Sequence, residues 1–339
     1  SISTKNSSGN NGLIANNITL TADNNVSIDA VAGLIGASFR GANITANKGN
    51  INISGSASRG GFDFYSAYGA VLLYGEMLFK SGAGTIINAS HTSHTSSYSP
   101  PAPLVLIGVN MTFDGGAEIN ACGSYSGILV SPTSLHQDSK SRVFVKNGNV
   151  NINATLDGKA TSGPTGAAGA AASGAFVFNN GYKNISLELN ADKGSNVTIN
   201  ADSSGNKSGP FAAFAAATPE ATQARGKYNG FIFSGEGNFT VSGTSDSADA
   251  VNLRVFNNEN LTGSLAITGV SNSGNGVNFD NYLTTKVSNA TITGISVSGA
   301  GVQMTARSGS ADLDGNSVSG STTTGKGGVI LSGSNVTIS

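Results

Sequence analysis

The chain has 339 residues, a formal net charge of −1, 11% charged residues, 47 glycines and no tryptophan. It is long enough for a sizeable core, and its density of Val, Ile and Thr at near-zero charge is unlike a disordered chain, which couples low hydrophobicity to high charge. The Lys and Arg residues are scattered, which argues against nucleic acid; the single Cys122 allows no intrachain disulfide or Cys-rich zinc site and reads as a small buried residue; no run of eighteen apolar residues reads as a membrane span.

Residues 1–58 carry short alternating runs, "NITLTA" (17–22), "NVSIDA" (25–30) and "NINISG" (50–55). Alternation with β-branched residues means a strand with one buried and one wet face. Each run ends in Gly, Asn, Asp or Ser, which supply the conformations and local hydrogen bonds of turns.

From 59 to 146 the pattern breaks into "RGGFDFYSAYGAVLLYGEMLFK" (59–80), "HTSHTSSYSPPAP" (91–103) and "SPTSLHQDSKSRVF" (131–144), read as aromatic-rich loops grafted on the regular structure. In 147–256 alternation returns in "NVNINA" (149–154), "NVTINA" (196–201) and "NFTVSG" (238–243), around a second irregular loop at 208–231. The Ala-rich stretch 166–176 is too interrupted by Gly for a helix.

Residues 257–339 read as regular again. Here "VSGTSDSADAVNL" (241–253), "ITGVSNSGNGVNF" (267–279), "ITGISVSGAGVQM" (292–304) and "VSGSTTTGKGGVIL" (318–331) repeat one line at intervals of 25 to 27 residues. Periods in that range belong to solenoids, in which each repeat buries its apolar face only against its neighbours. The expected fold is all-β, a right-handed parallel β-helix forming one continuous solenoid, a fragment of a longer chain. In-register stacking predicts one internal column of Val241, Ile267, Ile292 and Val318 and another of Val251, Val277, Val302 and Val329. Thirteen coils at about 4.8 Å would give a rod of about 60 Å.

Catalytic constellations are missing. The Gly-His-Gly and Arg-Ile-Lys strings of polygalacturonase-like enzymes do not occur, and Asp246, Asp249, Asp312 and Asp314 read as solvated turn residues. His91 and His94 sit among Ser, Thr and Pro, with His136 far away in sequence, which is a poor metal set. The chain therefore reads as a non-enzyme without metal or cofactor. Asn-X-Ser/Thr recurs, often at the start of a strand. The glycosylation candidates are Asn17, Asn43, Asn88, Asn110, Asn153, Asn184, Asn196, Asn206, Asn238, Asn260 and Asn289, although turn-forming Asn next to strand-forming Ser or Thr generates such sites by composition alone.

The runs "NITLTADNNVSIDA", "NITANKGNINISG" and "NVTINADSSG", together with the terminal repeats, resemble two-partner-secreted exoproteins of the filamentous haemagglutinin and Haemophilus-type high-molecular-weight adhesin family. The resemblance covers most of the chain and rests on repeat style; the family's N-terminal secretion domain has no counterpart here. It implies a mid-chain binding segment, secreted to the bacterial cell surface through an outer-membrane pore partner, monomeric, glycosylated on some Asn-X-Ser/Thr sites and binding host-cell glycans, including sialylated ones. Loops in 59–146 and 208–231 offer aromatic faces and cations for a sugar: Arg59, Tyr65, Tyr68, Tyr74, Lys80, Tyr98, Tyr125, Arg142, Arg225, Lys227 and Tyr228. The competing account is that Phe62, Phe64, Leu72, Leu73, Leu78 and Phe79 pack these loops onto the rod. A second functional reading is the receptor-binding stick of a contact-dependent growth-inhibition exoprotein, directed at a bacterial outer-membrane receptor or lipopolysaccharide.

Overall fold

In the computed structural model, the described residues are 1–6, 9–59, 69–92, 102–131, 139–160, 174–178, 185–206, 209, 211–216, 229–286, 289–305, 328–332 and 335–339. They form a parallel β-helix: every strand pairing is parallel, and no helix occurs among the described residues. An eleven-stranded first sheet runs Ile2–Asn6, Val26–Ala32, Asn50–Ala57, Gly84–His91, Ala117–Gly123, Val150–Leu156, Asn196–Asp202, Asn238–Ser245, Ser264–Ser271, Asn289–Ser296 and Asn335–Ile338. The coil number is thus eleven among the described residues, not thirteen.

Register alone explains why these segments stack. Ile2, Ile28, Ile53, Ile87, Ile119, Ile152, Ile199, Val241, Ile267, Ile292 and Ile338 pair in one unbroken inward column. Like sits on like, and from Ile28 to Ile292 each β-branched side chain is buried by its neighbours above and below, while the end members Ile2 and Ile338 are exposed. Partners are 25 or 26 residues apart from Ile2 to Ile53 and from Val241 to Ile292, 32 to 47 apart between Ile53 and Val241, and 46 apart from Ile292 to Ile338. The expected column holds for Val241, Ile267 and Ile292, but its next member is Ile338; Val318 lies outside the described residues. Likewise Val251, Val277 and Val302 stack as expected, whereas Val329 pairs with Leu283. The regular repeat therefore does not run through 339.

A fourteen-stranded second sheet supplies the other two walls. In early coils each strand crosses both walls, as in Asn11–Ala22, Ile35–Ala46, Val71–Ser81 and Leu104–Asp114, and bends midway at a residue of positive φ: Asn17 (49°), Gly41 (75°), Gly75 (77°) and Gly108 (49°). Bulges at Gly41/Gly75 and Gly75/Gly108 accompany the bend. In the middle coils the two walls are separate strands, Ser126–Ser131 and Ser139–Lys146, Gly174–Phe178 and Ile185–Ala191, and Ala212–Ala216 and Asn229–Gly235, whereas Val251–Leu261 and Val277–Lys286 again serve both walls.

Two expected loops are therefore half wall. Within 59–80, Val71–Ser81 is a strand whose Leu73 and Phe79 face the core, Phe79 stacking on Phe113 at 5.3 Å; within 131–144, Ser139–Lys146 is a strand. Phe62 and Phe64 lie outside the described residues. The same holds in 208–231, where Ala212–Ala216 and the start of Asn229–Gly235 are walls. In Leu104–Asp114 and Gly174–Phe178, by contrast, outward Val105 and Val177 are buried too, so 104–106 and 174–178 are buried without alternation, the signature of a parallel strand covered on both faces.

One core position departs from the apolar rule. Thr85 pairs with Ile51 and Ala117 in an inward column and is 1% exposed, and its hydroxyl has no partner among the described residues. A buried unpaired hydroxyl carries its desolvation cost uncompensated. Thr85→Val is expected to raise the unfolding free energy by about 1 kcal/mol, read as a higher urea midpoint at unchanged slope.

The terminal repeats are built by their serines. Ser245, Ser271 and Ser296 each accept, through Oγ, the amide three residues on (Ala248, Gly274 and Gly299), the side-chain turn that Ser favours. Ser273 and Ser298 then donate to Asp246 O and Asn272 O of the preceding coil. The half-buried Asp246 and Asp249 extend this bracing: Asp246 accepts from Gly205 N and Asn272 Nδ2, Asp249 from Asn275 N and Asn278 Nδ2. Asp249→Ala is expected to cost about 2 kcal/mol, since bonds to a carboxylate are the stronger kind, with amide exchange accelerated first at Asn275.

Candidate functional site

Each coil has three corners, and they differ. From the second sheet back to the first, among the described residues the chain turns within a few residues every time: 23–25, 47–49, 82–83, 115–116, 147–149, 192–195, 236–237 and 262–263. Asparagine side chains tie these turns together. Asn25 Oδ1 accepts Asn50 N, Asn149 Oδ1 accepts both N and Nδ2 of Asn196, Asn196 Oδ1 accepts Asn238 Nδ2, and Asn238 Oδ1 accepts N and Oγ of Ser264. The long connections fall at the other two corners: 58–70, 92–103 and 157–173 after the first sheet, and 132–138, 179–184, 217–228 and 306–327 within the second.

Beside the first of those corners, the outer face of the first sheet holds an open trough of about 460 Å³. Its floor is the backbone of Gly55, Ala89 and Ala121, whose side positions face inward. One wall is the outward column Asp29, Ser54, Asn88, Asn120 and Asn153; the other is Ser56, Ser90, Cys122 and Thr155. Asn120 Nδ2 donates to Asn88 Oδ1 (3.1 Å), Asn153 Nδ2 to Asn120 Oδ1 (2.9 Å) and Asn200 Nδ2 to Asn153 Oδ1 (2.9 Å). Asn120 Nδ2 also donates to Glu118 Oε1 at 3.0 Å. The result is a polar ladder at the strand spacing of about 4.8 Å. A sequence signal for it exists in "INAS" (87–90), "INAC" (119–122), "INAT" (152–155) and "INAD" (199–202). Each is one inward Ile, one outward Asn, one inward Ala and one outward small or polar residue. Cys122 accordingly lies exposed in the trough wall, not buried as its residue type suggested, because an odd step from Ile119 puts it on the wet face.

The loop candidates do not converge. Arg59 is exposed where the chain leaves the first sheet, its carbonyl accepting a hydrogen bond from His91 Nε2 (3.0 Å). His91 is 2% exposed and closes that corner; His94 and His136 lie outside the described residues, among which no metal-binding cluster occurs. Tyr74 is on the second sheet with one ring face under the Arg40 guanidinium, 4.8 Å away. Lys80 is on the far wall, in register with Asp114. Arg142 is paired with Glu188 at 3.0 Å. Tyr125 is 1% exposed, 6.1 Å from the Phe211 ring, so it packs the core and reaches no ligand. Tyr65, Tyr68, Tyr98, Arg225, Lys227 and Tyr228 lie outside the described residues.

Among the glycosylation candidates, Asn17, Asn43, Asn88, Asn196, Asn238, Asn260 and Asn289 are exposed, and Asn110 and Asn153 are half-buried. Asn196, Asn238 and Asn289 open their strands, as the sequence suggested. Asn206 is fully buried with Nδ2 donating to Ser124 O, which closes it to modification in the folded protein; Asn184 lies outside the described residues. Asp312 and Asp314 do as well. Comparison with protein-family models, with curated proteins and with solved structures finds no match in any of the three.

Proposed function

We propose that this chain is the binding segment of a secreted bacterial surface adhesin, a β-helical rod that holds host-cell glycans. The observation that carries the reading is the corner asymmetry: short turns close one corner, the longer stretches between strands fall at the other two, and three of them, 58–70, 92–103 and 157–173, follow first-sheet strands on the side of the open trough. In repeat proteins insertions collect on the binding side, and a shallow surface of amides and hydroxyls suits sugar hydroxyls. The resemblance of "NITANKGNINISG" and its companions to two-partner-secreted adhesins points the same way, with an outer-membrane pore as the export partner.

A glycan array carrying mammalian and bacterial sugars tests this. Selective binding to mammalian glycans is the expected result. Shortening should be confined to 60–68 or 217–228, since 71–81 and 229–235 are walls whose removal would unfold the rod. Binding restricted to lipopolysaccharide cores would replace the adhesin with the growth-inhibition stick, and silence on all sugars would remove the glycan reading.

A further inference from the structure

We infer that the trough on the first sheet is itself a sugar-binding site, and that its ligand is a neutral, linear, equatorially linked polysaccharide lying along the rod axis across the Asn88–Asn120–Asn153 ladder. The inference rests on the glycan reading above and narrows it to one surface and one chemical class.

Spacing carries the first step. The trough crosses five neighbouring strands, represented by Asp29, Ser54, Asn88, Asn120 and Asn153 in one outward column. Strands repeat about every 4.8 Å, close to the advance per residue of an extended hexopyranose chain, so one sugar can meet one strand for the length of the trough.

Hydrogen-bond capacity carries the second. A primary amide has two N–H donors and an oxygen with two lone pairs. Asn153 gives one N–H to Asn120 and accepts one from Asn200, leaving one donor and one acceptor. Asn88 accepts from Asn120 and donates to nothing among the described residues. Asn120 spends both N–H groups, on Asn88 and Glu118, and keeps one lone pair. The unspent groups pair with sugar hydroxyls, each donor and acceptor at once. Because the ladder already fixes the amides, little side-chain freedom is lost on binding.

Charge carries the third. The lining contains the carboxylate of Asp29 and no Lys or Arg. A sialic acid carboxylate would find no cation here and would be repelled at that end, which disfavours acidic sugars on this surface and leaves the neutral ones.

Cys122 allows a test without mutation: it is the only cysteine, it is exposed, and it lines the trough. Its reaction with 5,5′-dithiobis(2-nitrobenzoate) is followed in the presence of chito-oligosaccharides from dimer to hexamer, with sialyllactose as the charged control. The expected result is a severalfold slower reaction at saturation. The half-saturating concentration should fall about fivefold per added residue, the equivalent of one net hydrogen bond, and level off near the pentamer, where the trough ends. Sialyllactose should leave the rate unchanged. If calorimetry shows the hexamer bound while the thiol rate stays constant, the trough is not the site and the inference falls, with the glycan reading intact. If neither the oligosaccharides nor any sugar on the array binds, the glycan reading itself falls.

Discussion

Phe231→Ala is expected to lower the unfolding free energy by about 4 kcal/mol, in the range for truncating a buried phenylalanine. Phe231 is fully buried, its ring centroid 5.2 Å from Phe176, 5.1 Å from Phe178, 5.9 Å from Phe214 and 5.6 Å from Phe233. The cluster continues through Phe233 to Phe239 of the first sheet at 4.8 Å. It thus ties all three walls together in the stretch where the column partners lie 47 and 42 residues apart. Alanine there leaves a cavity that rigid sheets cannot close, and it removes four ring contacts at once, two of them edge-to-face.

A solenoid is close to one-dimensional, so the damage should stay local. Native-state hydrogen exchange is expected to lose protection in Gly174–Phe178, Ala212–Ala216 and Asn229–Gly235, with the strands from Ile2–Asn6 to Gly84–His91 keeping theirs. Uniform loss along the rod, or a change below about 1 kcal/mol, would contradict the packing described.

How much of this was readable beforehand follows from what alternation can report. The Ile28–Ile53 and Val241–Ile267–Ile292 columns were legible because their outward neighbours are polar, so burial on one face writes a period of two into the sequence. Leu104–Asp114 and Gly174–Phe178 were not, because Val105 and Val177 face outward yet are buried. Burial on both faces erases the period, so neither segment was picked out as a strand. Val318 failed for a different reason. Similarity to an earlier line does not fix which residue the coil pairs, and the partner of Ile292 is Ile338.

The trough was half legible. "INAS" and "INAT" were in plain view as glycosylation sequons at Asn88 and Asn153, whereas "INAC" is not a sequon and Asn120 drew no attention; an Asn-X-Ser/Thr pattern and an outward Asn ladder use the same strand face. Only the register of one coil on the next shows that Asn88, Asn120 and Asn153 line up and bond. The loop candidates drew attention by residue type, and Tyr125 and Arg142 show the weakness of that signal. One ring is a core filler and one guanidinium is already paired.

Gly269→Val is expected to cost about 3 kcal/mol, the overpacking range for a close-packed site, and to release the coils that follow it. Gly269 belongs to an inward column of small residues: Ala30, Gly55, Ala89, Ala121, Ala154, Ala201, Gly243, Gly269 and Gly294. In the terminal coils the serine-built turn is so short that the next wall starts directly against this column. A Cβ on Gly269 would sit 1.9 Å from the carbonyl oxygen of Gly276. That oxygen cannot yield cheaply: it accepts Val251 N, and Gly276 is buried with its own N–H held by Ala300 O. The whole turn 272–276 would have to lift, taking with it Ser271 Oγ, which holds both Gly274 N and Ala248 O. Limited proteolysis should then cut within 272–276 while the preceding coils stay protected. Ala154→Gly, in the same column where the following connection is long, is expected to cost only about 1 kcal/mol. If Gly269→Val instead melts like the parent, the glycines of "ITGV" and "ITGI" are not set by that carbonyl contact. Their recurrence at Gly243, Gly269 and Gly294 would then need another cause.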